Sequence, residues 1–401
     1  MTPKSRKRKN GTGEAIRPVE GDLVESVARR MRLKEGEEAV RRVLREVYRH
    51  GKIGTKDIAK ATRLPVPVAA AIRRELEREG IIARRGGAVL TEKGTGYVKD
   101  KLGFIREEGL ICPVCLGKKI PIPEEHAETL GRLGEYSSRR PRVDTRLDQA
   151  YGTPETALRR ALYMLEEGDL EGRGVLFLGD DDLTSIAVGL LGIAERIAVV
   201  DIDERLTRLI SEVSEEEGLG IECILHDLRE PLPSELNGVF DTFLTDPPYT
   251  LGGLRLFLSR GIEALRGRRT AAVYLAFADK PPLEMLEVHR AITGMGLFVR
   301  ELIPGFNTYE GAAIIGNTTF MARLSTTEEA KPAITGVYTG KIYTGELRPT
   351  VRVYRCRCGE DVEVGTGLRF ATIEDLKEAG CPRCGKHEGF RMRRRVPRKP
   401  S

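Results

Sequence analysis

Short apolar runs alternate with amphipathic stretches through the middle of the chain. Helical patterns begin near Leu183, Glu204, Leu251 and Pro282, and runs rich in β-branched residues precede them. Strands separated by helices predict an α/β fold with a doubly wound, parallel sheet. Ligands of such sheets bind beyond the carboxyl ends of the strands. The predicted strands are GVLFLG (174–179), RIAVVD (196–201), IECIL (221–225), FDTFLTD (240–246) and TAAVYLAF (270–277).

The N-terminal part has a different pattern, in which three helical segments precede a short hairpin. The helices are predicted from about Glu37 to His50, after Gly54 with Thr55 as N-cap, and over PVPVAAAIRRELEREG. Two strands around Gly86 follow. This order predicts a winged-helix domain over residues 21–105. Its third helix is either a DNA-reading helix or the solvated face of a protein-interaction module; that helix carries Arg73, Arg74 and Arg78.

Two cysteine patterns flank the predicted sheet. Cys112 and Cys115 form a CxxC pair in a segment, residues 106–144, that otherwise resembles a linker, especially from Gly131 to Asp144. The pair is either a metal-free turn or half of a zinc site, with His126 or a second protomer supplying further ligands. The second pattern predicts a structural zinc ribbon within residues 331–401, with the ligands Cys356, Cys358, Cys381 and Cys384.

Composition and charge limit the classes of protein to which this chain can belong. No apolar run is long enough for a membrane span, and no apolar segment follows the basic N-terminus, so we expect a cytoplasmic protein. Five amide side chains and 31% charged residues are typical of a thermophile. Residues 151–330 hold 30 acidic and 16 basic side chains, a balance of −14, so a whole-chain charge of +6 leaves +20 for the flanks. The first 20 residues are predicted to be a disordered basic tail.

Acidic residues end four of the predicted strands. Any one of these aspartates could simply cap the next helix, but four at one edge of one sheet predict an active site. They also disfavour a pyrophosphate ligand, which needs a glycine-rich turn and would be repelled by carboxylates. The acidic strand ends are Gly179-Asp180-Asp181-Asp182, Asp201-Ile202-Asp203, His226-Asp227 and Asp246-Pro247-Pro248-Tyr249.

A cationic ligand without phosphate fits this edge better. S-adenosylmethionine and its decarboxylated form each combine ribose hydroxyls with a positively charged sulfonium. We expect Gly179, Asp201 and Asp203 to bind this cofactor, with Asp201 accepting the ribose hydroxyls and Asp227 the adenine amino group.

The order of elements resembles the Rossmann-like class I S-adenosylmethionine-dependent methyltransferases, and DPPY (246–249) resembles the motif of those that methylate amino groups. A closer likeness extends from about residue 37 to 324. In it the chain resembles the branched-chain polyamine synthases, which transfer aminopropyl groups from decarboxylated S-adenosylmethionine to the N4 secondary amine of spermidine, yielding N4-bis(aminopropyl)spermidine. The matching segments are RLDQAYGTPETALRRAL (146–162), FLGDDDLTSIA (177–187), RIAVVDIDERL (196–206), DLREPLP (227–233) and FDTFLTDPPYT (240–250).

The resemblance implies roles for individual residues. It implies that Asp181, the middle aspartate of GDDD, is the catalytic residue of an aminopropyl transfer. Around it, a set of side chains is implied to bind the polyamine or close over the donor. That set comprises Asp180, Asp182, Asp246, Tyr249, Asp148, Gln149 and Thr153.

Two other functions remain open from the sequence. One is an amino-methyltransferase acting on a nucleic-acid base, which would use the basic tails for contact with phosphates. It leaves the acidic strand ends unexplained, because nucleic acid would be repelled there. The other is a regulator that binds polyamine without turnover. We expect spermidine as substrate, a homodimer, no membrane partner, and nucleic acid as a possible second partner. The short span after FNTYE (306–310) and the ribbon depart from the synthase pattern.

Overall fold

The computed structural model describes residues 22–105, 111–267, 270–310, 317–347, 350–365, 368–370 and 373–397. The predicted disordered tail, residues 1–20, lies outside the described residues. Within the described ranges, no helix is both long and apolar enough to cross a membrane.

The N-terminal lobe, residues 22–105, has its own apolar core. Its second helix buries Val40, Val43, Leu44 and Val47, spaced by three or four residues so that they share one face. Two predictions need correction. A first helix was not predicted, and Gly54 rather than Thr55 is the N-cap of the third. The elements are α1 (Leu23–Met31), α2 (Glu37–His50), α3 (Thr55–Thr62), α4 (Val66–Arg78), β1 (Ile82–Arg84), β2 (Ala88–Leu90) and α5 (Glu92–Gly96).

A helix occupies most of the segment predicted to be a linker. Helix α6 (Ala127–Ser138) places Leu133 and Tyr136 in the core of the next lobe. The prediction of a linker from Gly131 to Asp144 was therefore wrong over its first half. The apolar stripe of this helix is short and interrupted by two glycines, and several arginines follow it, so the sequence pattern did not predict a helix.

The central lobe, residues 121–347, is an α/β sandwich. Strand β3 is buried along its whole length because helices cover both faces of the sheet. The elements are α7 (Pro154–Glu166), β3 (Gly174–Leu178), α8 (Thr184–Leu191), β4 (Arg196–Asp201), α9 (Glu204–Glu217), β5 (Ile221–Leu225), β6 (Thr242–Thr245), α10 (Leu251–Ala264), β7 (Ala272–Phe277), α11 (Pro282–Gly294), β8 (Leu297–Thr308) and β9 (Thr318–Thr326).

The sheet has seven strands in the order β5-β4-β3-β6-β7-β9-β8. The five predicted strands are parallel, but β9 runs antiparallel to both of its neighbours. The sheet is thus mixed, which corrects the expectation of a purely parallel one. The order reverses at β3, so that β4 and β6 leave it on opposite sides and a crevice opens at their carboxyl ends.

The segment after β9 returns across the central lobe. We call residues 331–347 the strap; it ends in the short helix α12 (Thr344–Leu347). Ile342 and Tyr343 are buried in the core beneath the sheet, and the Ser259 hydroxyl accepts the N–H groups of Ala333 and Ile334. The central lobe therefore extends past the boundary predicted at residue 330.

The C-terminal lobe, residues 350–397, is small and built on cysteines. Its three-stranded antiparallel sheet has the order β11-β10-β12. Its buried apolar cluster consists of Val362, Val364, Phe370 and Leu376. Its elements are β10 (Thr350–Arg355), β11 (Asp361–Val364), α13 (Ile373–Ala379) and β12 (Arg391–Pro397).

Candidate active site

A cleft lies at the carboxyl ends of β3, β4 and β6, where the strand order reverses. It encloses about 550 Å³, including its open mouth. Three carboxylates from three different strand ends meet there. Its lining is Leu147, Asp148, Gln149, Ala150, Gly179, Asp181, Asp201, Ile202, Asp246, Pro247, Pro248, Tyr249, Phe257, Tyr309 and Tyr343.

The three aspartates of the GDDD turn point in different directions. The backbone turns sharply after β3, with Gly179 at φ +73° and Leu183 at φ +61°. Asp180 turns inward and caps α8: its carboxylate accepts the N–H groups of Thr184 at 2.8 Å and Ser185 at 3.0 Å. Burial raises the pKa of Asp180 to about 7, although these hydrogen bonds oppose the rise.

Asp181 is the member of the turn that lines the cleft. Within the described part of the chain, no hydrogen-bond donor or cation is recorded on its carboxylate. Burial raises the pKa of Asp181 well above its usual range, and repulsion from Asp182, Asp246, Asp201 and Asp180 raises it further. A carboxylate in this position has a high affinity for protons and for cationic ligands.

The Asp182 carboxylate is buried, and both of its oxygens have partners within the protein. One of its oxygens accepts the N–H of Gly152, and the other is 2.7 Å from a guanidinium nitrogen of Arg160. Arg160 is almost wholly buried, and its other terminal nitrogen is 2.8 Å from Asp246. A single buried cation therefore bridges two carboxylates from different strand ends.

A polar network fixes this guanidinium. Its Nε donates to the Asn307 side chain at 2.9 Å, and one terminal nitrogen reaches the Tyr309 hydroxyl at 3.1 Å. Tyr309 donates to Asp246, and the Tyr249 hydroxyl is 3.4 Å from the second oxygen of Asp246. Burial raises the pKa of Asp246, while Arg160 opposes the rise.

The second strand end forms one lip of the cleft. Asp201 accepts the N–H groups of Asp180 and Asp203, so the ends of β3 and β4 are joined. Burial raises the pKa of Asp201. Burial would also raise the pKa of Asp203, but Arg205, which donates to both of its oxygens, and Gln149, at 2.9 Å, hold it below its usual value.

Some expected ligand-binding residues lie away from the cleft. Asp227 follows β5 but does not line the cleft, and its carboxylate accepts the N–H of Arg229 at 2.9 Å. Thr153 is the N-cap of α7 and accepts the N–H of Thr156. Asp180 and Asp182 also do not line the cleft. The structure brings together Gly179, Asp181, Asp201, Asp246, Tyr249, Asp148 and Gln149.

The strap supplies a wall of the cleft that no sequence pattern predicted. Tyr343 lines it, with the guanidinium of Arg229 stacked 5.2 Å from the ring centroid. The N–H of Thr344 donates to Asp148 at 2.7 Å, and the Thr250 hydroxyl donates to the carbonyl of Ile342 at 2.5 Å. These contacts hold the strap against the mouth of the cleft.

Other functional residues were missed for a physical reason. The polar network around the guanidinium is formed by Arg160, Asn307 and Tyr309. None of them lies at a strand end that the sequence predicted. One signal was available: Arg160 lies on the same face of α7 as Thr156, Ala157 and Met164, which are all buried. A charged residue on an apolar helical stripe indicates a buried ion pair.

The four C-terminal cysteines could hold a metal ion. Their sulfur atoms all lie within 4.8 Å of one another, and the Cys356–Cys384 and Cys358–Cys381 sulfur pairs are 3.7 Å apart. Four sulfurs at about 2.3 Å from a tetrahedral zinc ion would be separated by about 3.8 Å. The spacing therefore fits zinc.

The arginines of the predicted DNA-reading helix are partly neutralised inside the lobe. Arg73 lies 3.5 Å from Glu77, and Arg78 lies 2.9 Å from Glu75. Only Arg74 has no recorded acid partner among the described residues. This arrangement favours a solvated helix face over a phosphate-binding one.

Comparisons with known proteins agree on one family. The profile described as "Branched-chain polyamine synthase A C-terminal domain" matches residues 128–365. An uncharacterized protein of Methanocaldococcus jannaschii is 48% identical, covering 88% of this chain and 89% of its own length. The N(4)-bis(aminopropyl)spermidine synthase of Thermococcus kodakarensis is 35% identical, covering 72% of this chain and 82% of that one.

M. jannaschii also has an N(4)-bis(aminopropyl)spermidine synthase, which is 38% identical to this chain and covers 61% of it and 70% of its own length. Among solved structures, the branched-chain polyamine synthase of Thermus thermophilus, in complex with N4-aminopropylspermidine and 5'-methylthioadenosine, has a TM-score of 0.65. It is 28% identical, and the match covers 80% of this chain and 96% of that one.

Proposed function

The chain belongs to the branched-chain polyamine synthase family, and from that membership we propose that it transfers aminopropyl groups from decarboxylated S-adenosylmethionine to the N4 amine of spermidine. The observation that carries the proposal is Asp181. Its carboxylate faces the cleft without a recorded partner among the described residues, beside Asp201 and Asp246. Such a site favours a polycation and a sulfonium over anionic substrates.

The donor is proposed to lie along the lip formed by the ends of β3 and β4. Asp201 would accept hydrogen bonds from the ribose hydroxyls, and Gly179 allows close approach to the backbone. The exposed side chain of Ile202 would pack on the adenine ring. Asp203 and Gln149 are hydrogen-bonded to each other, and their proposed role is to fix the shape of this lip. The adenine contact of Asp227 stays a prediction.

The acceptor amine is proposed to enter between Asp181 and the DPPY turn. Asp246 and Tyr249 line this side, and Asp148 closes it together with the strap. For Asp180 and Asp182 we propose positioning roles, because backbone N–H groups and Arg160 already occupy their oxygens. Thr153 is likewise proposed to position α7.

The chemistry is an in-line displacement. N4 of spermidine must be neutral to attack, so Asp181 takes its proton. The nitrogen lone pair forms a C–N bond to the methylene next to the sulfonium, the C–S bond breaks, and its electrons leave the sulfur neutral in methylthioadenosine. A second cycle on the same nitrogen would give a quaternary, bis-substituted product. Holding both reactants in line supplies much of the rate enhancement.

The test is a product assay by mass spectrometry. The protein is incubated with spermidine and either decarboxylated or intact S-adenosylmethionine. We expect products that gain one and two aminopropyl units from the decarboxylated donor only. Because M. jannaschii has two relatives of this chain, spermine and N4-aminopropylspermidine should be tested as acceptors too. Methyl transfer from the intact donor would overturn the proposal.

The flanking lobes are proposed to be structural. The three helices α2–α4 and the hairpin β1–β2 are proposed to form a winged helix, and the C-terminal lobe a zinc ribbon held by Cys356, Cys358, Cys381 and Cys384. Zinc-binding thiolates persist in a reducing compartment, which supports a cytoplasmic enzyme. If the protein binds nucleic acid, the contact is proposed to be made by β12, where Arg391, Arg393 and Arg394 are exposed.

A further inference from the structure

The loop containing the CxxC pair is shaped to present two sulfur atoms. The N–H of Leu116 donates to the carbonyl of Cys112 and that of Lys118 to the carbonyl of Cys115, both at 2.9 Å. Leu116 and Gly117 adopt left-handed backbone conformations, at φ +51° and +78°. The N–H groups of Val114 and Cys115 face the Cys112 sulfur, and the two sulfurs interact. This turn holds the two sulfurs side by side, the arrangement that two ligands of one metal ion require.

This pair is only half of a metal site. Zinc in structural sites takes four ligands, in sets such as Cys₄. Among the described residues, the only group of three or more potential ligands placed to share an ion is the one in the C-terminal lobe. His126, a candidate third ligand from the sequence, does not join the pair. None of the described residues completes the site with this pair, and a second molecule can supply the missing ligands.

The surface around the pair is apolar. Ile111, Val114 and Leu116 are 63%, 71% and 67% exposed, and Ile105, which precedes them in the sequence, is 73% exposed. They are four of the twelve large apolar side chains that are exposed in the described part of the chain. Such a concentration on one short stretch indicates a surface that is covered by a partner. Burying each side chain would contribute about 1.5–3 kcal/mol.

The loop is held firmly on the central lobe. The Lys118 ammonium donates to the carbonyl of Phe306 at 2.9 Å and to the Thr308 hydroxyl at 2.7 Å. Lys119 pairs with Glu167 and Glu301 at 2.7 and 2.6 Å. Both lysines thus direct their charge into their own chain. Two copies of the loop can approach without these charges repelling each other.

We propose that two copies of this chain bind one zinc ion between them, each contributing Cys112 and Cys115, with the surrounding apolar surface buried across a two-fold axis. The second copy is the occupant because an identical half-site supplies the two missing thiolates and an equal apolar patch. A two-fold interface of this kind is closed and self-complementary. The site is separate from the cleft and does not depend on the proposed reaction.

The metal stoichiometry tests this inference. The full-length protein is prepared with zinc under anaerobic, reducing conditions, and zinc per chain is measured together with mass in solution. We expect a dimer, and we expect the double variant Cys112→Ser/Cys115→Ser to lose about one half zinc ion per chain. Loss of about one whole ion per chain, or of none, would overturn the proposal. The control Cys223→Ser changes a cysteine in β5 and should lose none.

A second variant separates a shared site from one within a single chain. Val114→Glu leaves all thiols in place but puts like charges into the proposed interface. If the zinc is shared, this variant loses the same half ion as the cysteine variant. Retention of the full zinc content by Val114→Glu would show that each chain completes its own site. Because Val114 is exposed, the substitution should not disturb folding of the chain.

Discussion

At the scale of single residues, the site depends on a cation that does not line the cleft. Arg160 neutralises Asp182 and Asp246 from beneath, and no neutralising partner is recorded for Asp181 in the described structure. Because Arg160 neutralises the other two carboxylates, Asp181 is the aspartate left to bind a cationic substrate and accept its proton. Paired with two buried carboxylates and hydrogen-bonded to Asn307, it cannot be removed without leaving charge uncompensated in the interior.

Replacing Arg160 should therefore be strongly destabilising. We expect Arg160→Met to lower the free energy of unfolding by about 3–5 kcal/mol, because Asp182 and Asp246 lose their counter-ion. Denaturant unfolding at neutral pH measures this. The matched control is Arg255→Met on the exposed face of α10, which should change stability by less than about 0.5 kcal/mol. Equal effects of the two substitutions would refute the role given to Arg160.

Asp181 should be essential for turnover but not for folding. Asp181→Asn is expected to lower kcat about 10²–10⁴-fold, because the proton acceptor is lost. Its stability at pH 8 should equal or exceed that of the wild type, since one buried like charge is gone. Steady-state kinetics and thermal unfolding check both parts. Asp100→Asn, in the N-terminal lobe, is the control; near-normal turnover by Asp181→Asn would exclude the catalytic role.

The sequence located the residues that end strands but not the directions of their side chains. Asp181, Asp201 and Asp246 line the cleft because parallel strands end at one edge. Asp180 and Asp182 turn inward, since successive side chains of a tight turn diverge, and the string GDDD does not show which one faces out.

At the scale of elements, the strap decides the shape of the cleft. It carries Tyr343 into the lining and is held by the hydroxyls of Thr250 and Ser259 on or beside α10. The five parallel strands were predictable because they are continuous apolar runs. Strand β8 mixes exposed and buried positions with two register shifts, and the strap has no period, so neither could be recognised.

Removing the strap's aromatic ring should weaken substrate binding. We expect Tyr343→Ala to lower kcat/KM by about 5–30-fold, mostly through KM, because one wall of the cleft is lost; this corresponds to about 1–2 kcal/mol. The matched control is Tyr338→Ala, on the same strap but outside the cleft lining. A loss of kcat/KM as large in the control would mean that the strap acts only through stability.

The C-terminal lobe should depend on its metal. A buried apolar cluster of four residues is too small a core for a lobe of this size, so the proposed zinc supplies much of the folding energy. With a strong chelator, or in Cys358→Ser, we expect rapid protease cleavage within residues 350–397 while the central lobe stays intact. Mass spectrometry of the fragments locates the cuts. Unchanged resistance of the lobe would argue against a structural metal.

At the scale of the whole molecule, the charge of +6 combines two opposite surfaces. The acidic central lobe holds the cleft, and the basic excess lies outside it. Carboxyl groups whose pKa is raised in the fold, such as Asp180 at about 7, stabilise the protein fully below their ordinary pKa near 3.8. This stabilisation is lost as pH rises through about 7. A bound polycation should restore part of it.

Spermidine should therefore stabilise the protein more at pH 8 than at pH 5. Burial raises the pKa of Asp181, Asp201 and Asp246, so a larger fraction of these cleft carboxyls is ionised at pH 8 than at pH 5, and ionised carboxylates attract a polycation more strongly. At 100 times Kd the expected gain at pH 8 is about 2.7 kcal/mol. Thermal unfolding with and without spermidine measures it, and Asp181→Asn should reduce it. An equal shift at both pH values would contradict this assignment of charge.

The strap also bears on how the chain acquires its activity during synthesis. The contact between Thr344 and Asp148 joins residues 196 positions apart, and that between Thr250 and Ile342 joins residues 92 apart. Closing such long loops is slow, and the ribosome releases the early part of the chain first. The sheet can assemble while the cleft still lacks a wall. A nascent or truncated chain that stops before residue 342 would have its sheet but lack Tyr343, and would be unable to enclose its substrates.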